Sequence, residues 1–369
     1  MAEVAAGRLD ALWRDGPFRG QAAAVAAVSA EHPDDAELRA FAMLAALREN
    51  DRARLAALPG LLEPPAAAVP EVHALVHAAN AWLGAVTLDA TVTWEAQRRL
   101  GEALEQAAAE HAGGAAEPRG GGPAVTAPRR LGAARAWGSL AVAEGAVVGG
   151  ELETARRHLK AVAAAPETPP ACRLAAAGRL AELDGVAEPR AAVRRLDGVT
   201  EQAERLEQAG ELLHALTIGG LLSLAAGDRD GGRSRLRRAT LVSAPDGSLR
   251  HHTLARMLLA VTEDRPGSDG ALQELAEAIR LAAADGDSFS YLAVIGLAAR
   301  VYHARGADAD AVLTLSNGIH QLRSAGLAAL ALGVEAQRDA LRAELGEERY
   351  AKAMEDAVAL LERDLQRTA

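Results

Sequence analysis

Cysteine, lysine and aromatic residues are all scarce in this chain of 369 residues. The single cysteine, Cys172, excludes an internal disulfide and a thiolate zinc cluster, which needs several cysteines at short spacing. Lys160 and Lys352 are the two lysines, so arginine carries nearly all of the positive charge. Aromatic residues make up 3% of the chain, too few to supply the packed faces of sheets. We therefore expect an all-α protein, which the abundant alanine also favours.

Long apolar runs and an excess of positive charge are also missing. The longest uncharged stretch, Val72 to Leu88, contains polar residues and falls short of the roughly 20 apolar residues that span a bilayer. The first residues, MAEVAAGRLDALW, are charged where a signal peptide would be apolar. The formal net charge of −10 argues against a general nucleic-acid binder. These features predict a cytoplasmic protein with no membrane span and no nucleic-acid partner.

Motifs for nucleotide or metal chemistry are not evident. The segment GGGP at Gly120 to Pro123 lacks the Lys and Ser or Thr of a phosphate-binding loop. His73 and His77 lie one helical turn apart, as metal ligands often do, but no third ligand is near, which favours structural histidines. The sequence therefore predicts no enzyme, no cofactor and no metal site.

An acidic group follows Pro33 in the N-terminal region. Asp34, Asp35 and Glu37 are similar to a magnesium-binding motif of helical prenyl-transfer enzymes. The apolar run that begins at Leu38 favours a different role, since acidic residues cap and stabilise the first turn of a helix. We interpret this group as a helix N-terminus.

A helix–turn–helix unit recurs along the chain with a period close to 40 residues. In one unit, small residues would let two antiparallel helices approach, large residues would fill the gap between them, and a glycine would form the turn. This unit contains Ala299, Tyr302, Gly306, Ala311, Leu315 and Gly318. The same spacing places turns at positions 150, 187, 227, 266, 306 and 346.

These spacings resemble the tetratricopeptide repeat, in the long-period form found in the helical arrays of some bacterial regulatory ATPases. The segment Leu341 to Ala357 is similar to the end of many such arrays, and Gly16, Val25, Val28 and Pro33 keep the family spacing near the start. The resemblance covers most of residues 1–60 and 133–369. The early aromatic of the first helix is mostly missing, and so is the inter-repeat proline after Pro33. The resemblance implies an α-solenoid of about nine antiparallel helix pairs.

The Gly- and Pro-rich segment Ala112 to Pro128 interrupts this period. It predicts a flexible loop, either a tolerated insertion or a loop that closes over a bound partner. We expect N-terminal helical repeats at 1–111, the loop at 112–128 and a C-terminal repeat array at 129–369.

The resemblance also implies where a partner binds, because the first helix of each pair lines the concave groove in this family. It implies a non-catalytic scaffold in a bacterium that binds a peptide or protein segment there. Two alternatives remain open: a regulatory or ligand-sensing module, and an all-α enzyme. The partner-binding residues that this register suggests are Trp137, His214, Arg256, Arg300 and His303, and Glu144, Asp184, Thr217 and Glu263 would face the same groove.

A row of arginines offers a second surface. Arg229, Arg233 and Arg237 recur every four residues and would form a ridge along one face of a helix. This ridge is either a solvated charged face or a site for an acidic or phosphorylated partner.

Overall fold

The computed structural model describes residues 2–49, 54–55, 61–112, 125–243, 249–263, 268–285 and 288–368. Every regular element in these residues is a helix, and no strand occurs among them. The predicted all-α fold class is therefore confirmed. The chain divides into two compact units: unit 1 contains residues 1–226 with 243–248, and unit 2 contains residues 227–242 with 249–369.

Unit 1 is built from helices that pack mainly on their neighbours along the chain. The helices with described bounds are α1 (Ala2–Asp15), α2 (Ala22–Glu31), α3 (Ala36–Glu49), α4 (Pro70–Thr87), α5 (Ala90–Ala112), α6 (Ala127–Val148), α7 (Leu152–Ala164), α8 (Pro170–Gly185), α9 (Pro189–Arg205) and α10 (Ala209–Ala225). Alternate helices also contact one another, α4 with α6, α6 with α8 and α8 with α10, which is the packing of an α-solenoid.

Unit 2 repeats this arrangement with seven helices among the described residues. The helices are α11 (Arg229–Leu241), α12 (Leu249–Thr262), α13 (Asp269–Asp285), α14 (Ser288–Ala304), α15 (Asp308–Ser324), α16 (Ala328–Leu345) and α17 (Glu347–Thr368). Neighbouring helices pack on one another from α11 to α17, and α12 also touches α14, as α14 touches α16.

Glycine forms the turns inside the helix pairs at the positions that the period predicts. Gly150, Gly227, Gly306 and Gly346 have φ angles of +79°, +81°, +80° and +76°, in the left-handed region where a side chain is strained. Position 187 also lies in a turn, whereas position 266 lies outside the described residues. The predicted turn glycines are confirmed.

The close approach predicted in the 299–318 unit is also present. Ala311 and Leu315 of α15 are buried in the core of unit 2. A Cβ added to Gly318 would lie 2.7 Å from the side chain of Ile295 on α14, so a larger residue would press on the neighbouring helix. The small residues of this unit therefore set the distance between its two helices.

The predicted domain boundaries at 111 and 128 stay predictions. Helix α5 ends at Ala112 and α6 begins at Ala127, and residues 113–124 of the predicted loop lie outside the described residues. None of the described helices is long and apolar enough to cross a membrane.

Candidate functional site

Four polar side chains on alternate helices of unit 1 meet in one row, which we name the polar strip: Glu144 of α6, Arg179 and Glu182 of α8, and His214 of α10. Arg179 Nη2 donates to Glu144 Oε2 at 3.0 Å, and its other terminal nitrogen donates to Glu182. His214 Nε2 lies 3.2 Å from Glu182 Oε1. Glu144, Arg179 and Glu182 are partly exposed, whereas His214 is buried. The strip thus links three alternate helices and reaches the surface.

Local sequence explains why these side chains meet. Gly178 leaves room for the His214 ring, since a Cβ at Gly178 would lie 3.3 Å from His214 Nε2. Arg179 and Glu182 are three residues apart, so they share one face of α8. A glycine next to this charged pair therefore lets α10 bring its imidazole to the same row.

The pKa values of the strip residues are shifted in different directions by burial and by neighbouring charges. Burial raises the pKa of Glu144 despite the Arg179 charge. Burial would also raise the pKa of Glu182, but the hydrogen bond and charge of His214 and the charge of Arg179 outweigh it and lower that pKa. Burial and the Arg19 charge lower the pKa of His214, and they outweigh the contact with Glu182, which would raise it. The strip thus combines one guanidinium, one imidazole and two carboxyl groups.

A buried ion cluster in unit 1 holds residues 17–19 of the N-terminal segment against α10. The Glu211 carboxylate accepts a hydrogen bond from Arg48 Nη2, and Oε1 also accepts from the backbone N–H of Arg19 at 3.0 Å. Arg48 donates in turn to the Pro17 carbonyl at 2.6 Å. A Cβ at Gly210 would clash with the Arg19 carbonyl oxygen, so this position needs glycine for the close approach of the two backbones. The cluster fixes residues 17–19 beside the start of α10.

Some buried donors of unit 1 have no hydrogen-bond partner among the described residues. Arg179 Nε lies in the polar strip, and Trp137 Nε1 and Ser223 Oγ are on the neighbouring helices α6 and α10. An unpartnered buried donor costs free energy unless a ligand or water satisfies it. The Nε–H of Arg179 is itself buried, so a group that approaches from solvent would meet the other atoms of this side chain first.

The structure places the predicted site residues of unit 1 in different surroundings. His214 and Glu144 both belong to the polar strip, through their contacts with Glu182 and Arg179, and their groove-facing role stays a prediction. Trp137 has no exposed surface, and its ring packs 6.3 Å from that of Trp82 in the core. Its burial corrects the expectation that Trp137 lines an open groove, since the large aromatic area is stabilised more by the core than at a surface. Thr217 is buried and bonds the Leu213 carbonyl of its own helix.

In unit 2, two of the three predicted residues already have partners. Arg256 Nη1 donates to Glu274 Oε2 at 2.6 Å. His303 bonds Asp308 through Nδ1 at 2.7 Å and lies 3.2 Å from Glu344 through Nε2. Arg300 is exposed and makes no hydrogen bond or ion pair with the described residues. Their binding role stays a prediction.

Two further expectations are corrected by the contacts. Asp184 accepts from Arg156 and Arg195 of α7 and α9, the second helices of their pairs, so it holds those helices instead of facing the first-helix groove. Arg229 donates to the Thr262 carbonyl at 2.6 Å, and Arg233 pairs with Glu263 at 3.0 Å. Two members of the predicted arginine ridge, and Glu263 with them, therefore stabilise the end of α12.

The candidate metal and magnesium motifs have structural roles. His77 is buried, and burial together with the Arg99 charge lowers its pKa to about 4. His73 Nε2 lies 3.1 Å from the Pro65 carbonyl. Asp35 accepts from the Leu38 N–H at 3.0 Å, which confirms the helix-capping interpretation. Among the described residues, no group of three or more His, Cys, Asp or Glu could hold a metal ion.

Sequence reasoning missed Arg179, Glu182 and Glu211. The spacing of Arg179 and Glu182 was a signal for a pair on one helix face, but nothing local points from Glu211 to Arg48, which is 163 residues away.

Cys172 is buried, and burial raises the pKa of its thiol, which makes it a poor nucleophile. The strip can therefore donate and accept hydrogen bonds, and it contains no activated nucleophile.

Comparison with known proteins identifies the fold. No family model matches the chain, so the tetratricopeptide assignment stays a resemblance. No curated protein matches it either. Among solved structures, the chain is similar to a Rap protein crystallised in complex with competence and sporulation factor. The two share 14% sequence identity with a TM-score of 0.51, over 94% of this chain and 98% of the Rap chain. This similarity supports a helical repeat fold.

Proposed function

We propose that this protein binds an extended segment of another protein, or a peptide, along the polar strip, and that it does so without catalysing a reaction. The observation that carries the proposal is the row of partly exposed charged groups on α6 and α8, Glu144, Arg179 and Glu182, which meets the buried His214 of α10. As the family resemblance implies, this function belongs to the cytoplasm of a bacterium.

The chemistry of the strip suits an extended backbone. The carboxylates of Glu144 and Glu182 have lone pairs left to accept from backbone N–H groups or from a basic side chain, and Arg179 can donate to a carbonyl oxygen. With one guanidinium and two carboxyl groups, the strip favours a segment of neutral or positive charge. The solved Rap complex supports the proposal, since a protein of similar fold holds a bound factor.

In unit 2, Arg300 is the predicted residue whose side chain is exposed and unpaired among the described residues, and a guanidinium can hold a carboxylate through two hydrogen bonds. Arg256 would first have to leave Glu274. We propose Arg300 as a separate contact for an acidic group, independent of the polar strip, to be tested with Arg300→Ala.

Selection from a random-peptide display library, followed by calorimetry with the selected peptides, tests the proposal. Arg179→Ala and Glu144→Gln should each weaken binding by about tenfold or more, since each removes a charged hydrogen-bonding group at the site. The matched control is Arg98→Ala, which breaks an exposed ion pair with Glu95 and Glu102 on α5.

Four outcomes would count against the proposal. Two come from the selection: a library that yields no binder, and selected peptides that bind Arg179→Ala and Glu144→Gln as tightly as the parent. A small molecule found by native mass spectrometry on protein purified from its host would instead favour the ligand-sensing alternative. Turnover of a substrate by the purified protein would favour the enzyme.

A further inference from the structure

Helix α17 carries an apolar row that the described residues of unit 2 do not cover. Ala353 and Ala357 are buried in the core. Next to them lies the exposed stripe, which we define as Met354, Val358 and Leu361, with exposed fractions of 37%, 52% and 42%. Its steps of four and three residues are those of a helix-packing seam. The stripe therefore continues the buried face of α17 out to solvent.

An acidic row borders the exposed stripe on the side away from the core. Glu348, Glu355 and Glu362 recur every seven residues and are all exposed. Successive residues are rotated by about 100° around the helix axis. The three glutamates therefore lie within about 40° of one another around the axis of α17, and within about 80° of Val358. If the stripe is the apolar seam of a coiled coil, the acidic row occupies a flanking position that selects the partner by charge.

No described residue neutralises this acidic row. None of its three glutamates makes an ion pair or hydrogen bond within the described part of the chain. The described basic side chains of the same helix have other partners: Arg349 pairs with Asp308 at 2.8 Å and Lys352 with Asp356 at 3.2 Å, and Arg363 donates to the Ala359 carbonyl at 3.1 Å. The row thus presents uncompensated negative charge beside an apolar seam.

We propose that the exposed stripe of α17 binds an amphipathic helix of a partner protein that carries Lys or Arg beside its own apolar seam. The apolar side chains supply the buried contact, and the acidic row selects the basic flank and the register. A second copy of this chain fits poorly, because antiparallel pairing of two such helices would place one acidic row against the other. An anionic membrane surface would likewise be repelled. This surface is separate from the polar strip.

The test uses three fluorescently labelled synthetic peptides of 21 residues with one shared apolar seam and Lys, Gln or Glu at the flanking positions. Anisotropy titrations with the full chain should show the Lys peptide binding at least about tenfold more tightly than the Glu peptide, with a smaller difference at high salt. Replacing the acidic row by Glu348→Lys, Glu355→Lys and Glu362→Lys should reverse the order. Val358→Asp should weaken binding of all three peptides.

The control variant carries Glu102→Lys, Glu105→Lys and Glu110→Lys on α5, which changes the net charge equally at an exposed site in unit 1. It should keep the parental order, and circular dichroism should show every variant to be folded. Equal affinity for the three peptides, or a reversal by the control variant, overturns the proposal. The proposal is also overturned if sedimentation analysis shows that the parent is a dimer and that Val358→Asp is a monomer, since the stripe would then bind a second copy of the chain.

Discussion

Replacing Glu211 tests the buried ion cluster of unit 1. The Glu211 and Arg48 side chains are each 1% exposed, and Glu211 also accepts the Arg19 N–H. Glu211→Ala leaves the Arg48 guanidinium buried without its counterion and removes the acceptor of a backbone N–H. Glu211→Gln keeps the shape and an acceptor oxygen but still removes the charge. Both variants should therefore be strongly destabilised.

Removing one partner of a buried ion pair typically costs about 3–5 kcal/mol, because the desolvated charge that remains is uncompensated. We expect Glu211→Ala in this range and Glu211→Gln near its lower end. Removing both charges with Arg48→Met and Glu211→Leu should cost less than Glu211→Ala alone, since the fully buried Arg48 cation is then no longer stranded and only Arg19, whose side chain is 20% exposed, loses its counterion. The sign of that difference separates a buried charge pair from a generic loss of packing.

Urea denaturation followed by tryptophan fluorescence measures this effect in the relevant unit. The four tryptophans, Trp13, Trp82, Trp94 and Trp137, all lie in unit 1. The matched control is Glu102→Gln, where the Glu102 side chain is 63% exposed and the pair with Arg98 should contribute under about 1 kcal/mol. If Glu211→Gln and this control unfold at the same urea concentration, the cluster does not stabilise the fold and the reasoning is wrong.

The pH dependence of Glu211 gives an independent check. Burial would raise the pKa of this carboxyl, but the charges of Arg48 and Arg19 outweigh it and lower that pKa. A carboxyl with a lowered native pKa stabilises the fold above its unfolded pKa of about 4.3, and the stabilisation is lost as pH falls through the native value. Acid titration of unit 1 fluorescence should therefore be flatter in Glu211→Gln than in the parent.

Three other substitutions follow from the contacts. Ala311→Leu should lower the free energy of unfolding by about 1–3 kcal/mol in a urea titration followed by circular dichroism, because it overpacks the α14–α15 interface; a parental midpoint would contradict the repeat register. Gly210→Ala should destabilise unit 1 through its clash with Arg19. The control Gly198→Ala, in open space within α9, should be neutral or stabilising by up to about 1 kcal/mol. Equal urea midpoints of the two variants, measured by tryptophan fluorescence, would exclude the clash at Gly210. The hydrogen bond to Asp308 raises the pKa of His303 in the folded protein. This contact should therefore stabilise unit 2 fully below about pH 6.5, and the stabilisation should be lost as pH rises through the folded-state pKa of His303. Melting temperatures of the parent and His303→Gln that change equally with pH would contradict this prediction.

Much of the fold was predictable because its determinants are local or periodic. Gly150, Gly227 and Gly306 mark turns that need a left-handed φ, and their period of roughly 40 residues predicts the helix pairs between them. Asp35 could be assigned as a helix cap from its neighbours alone. These features depend on backbone conformation over a few residues, so they need no knowledge of distant contacts.

The candidate site was less predictable, since burial and pairing depend on residues far apart in the chain. A register argument placed His214 and Glu144 on the groove face but also put Trp137 there, although its indole packs against Trp82 in the core. The same argument could not distinguish the free Arg300 from Arg256, whose charge is satisfied by Glu274 on the next helix. Register gives the face of a helix but not what covers that face.

The sequence by itself determined the helical class, the repeat period and the turns, because propensity, small-residue spacing and glycine conformation act along the chain. Only the tertiary structure decided which charges are buried and what neutralises them. Glu211 and Arg48 are 163 residues apart, and a buried carboxylate and a solvated one look the same in sequence. The difference arises from desolvation, which depends on every element packed around the group.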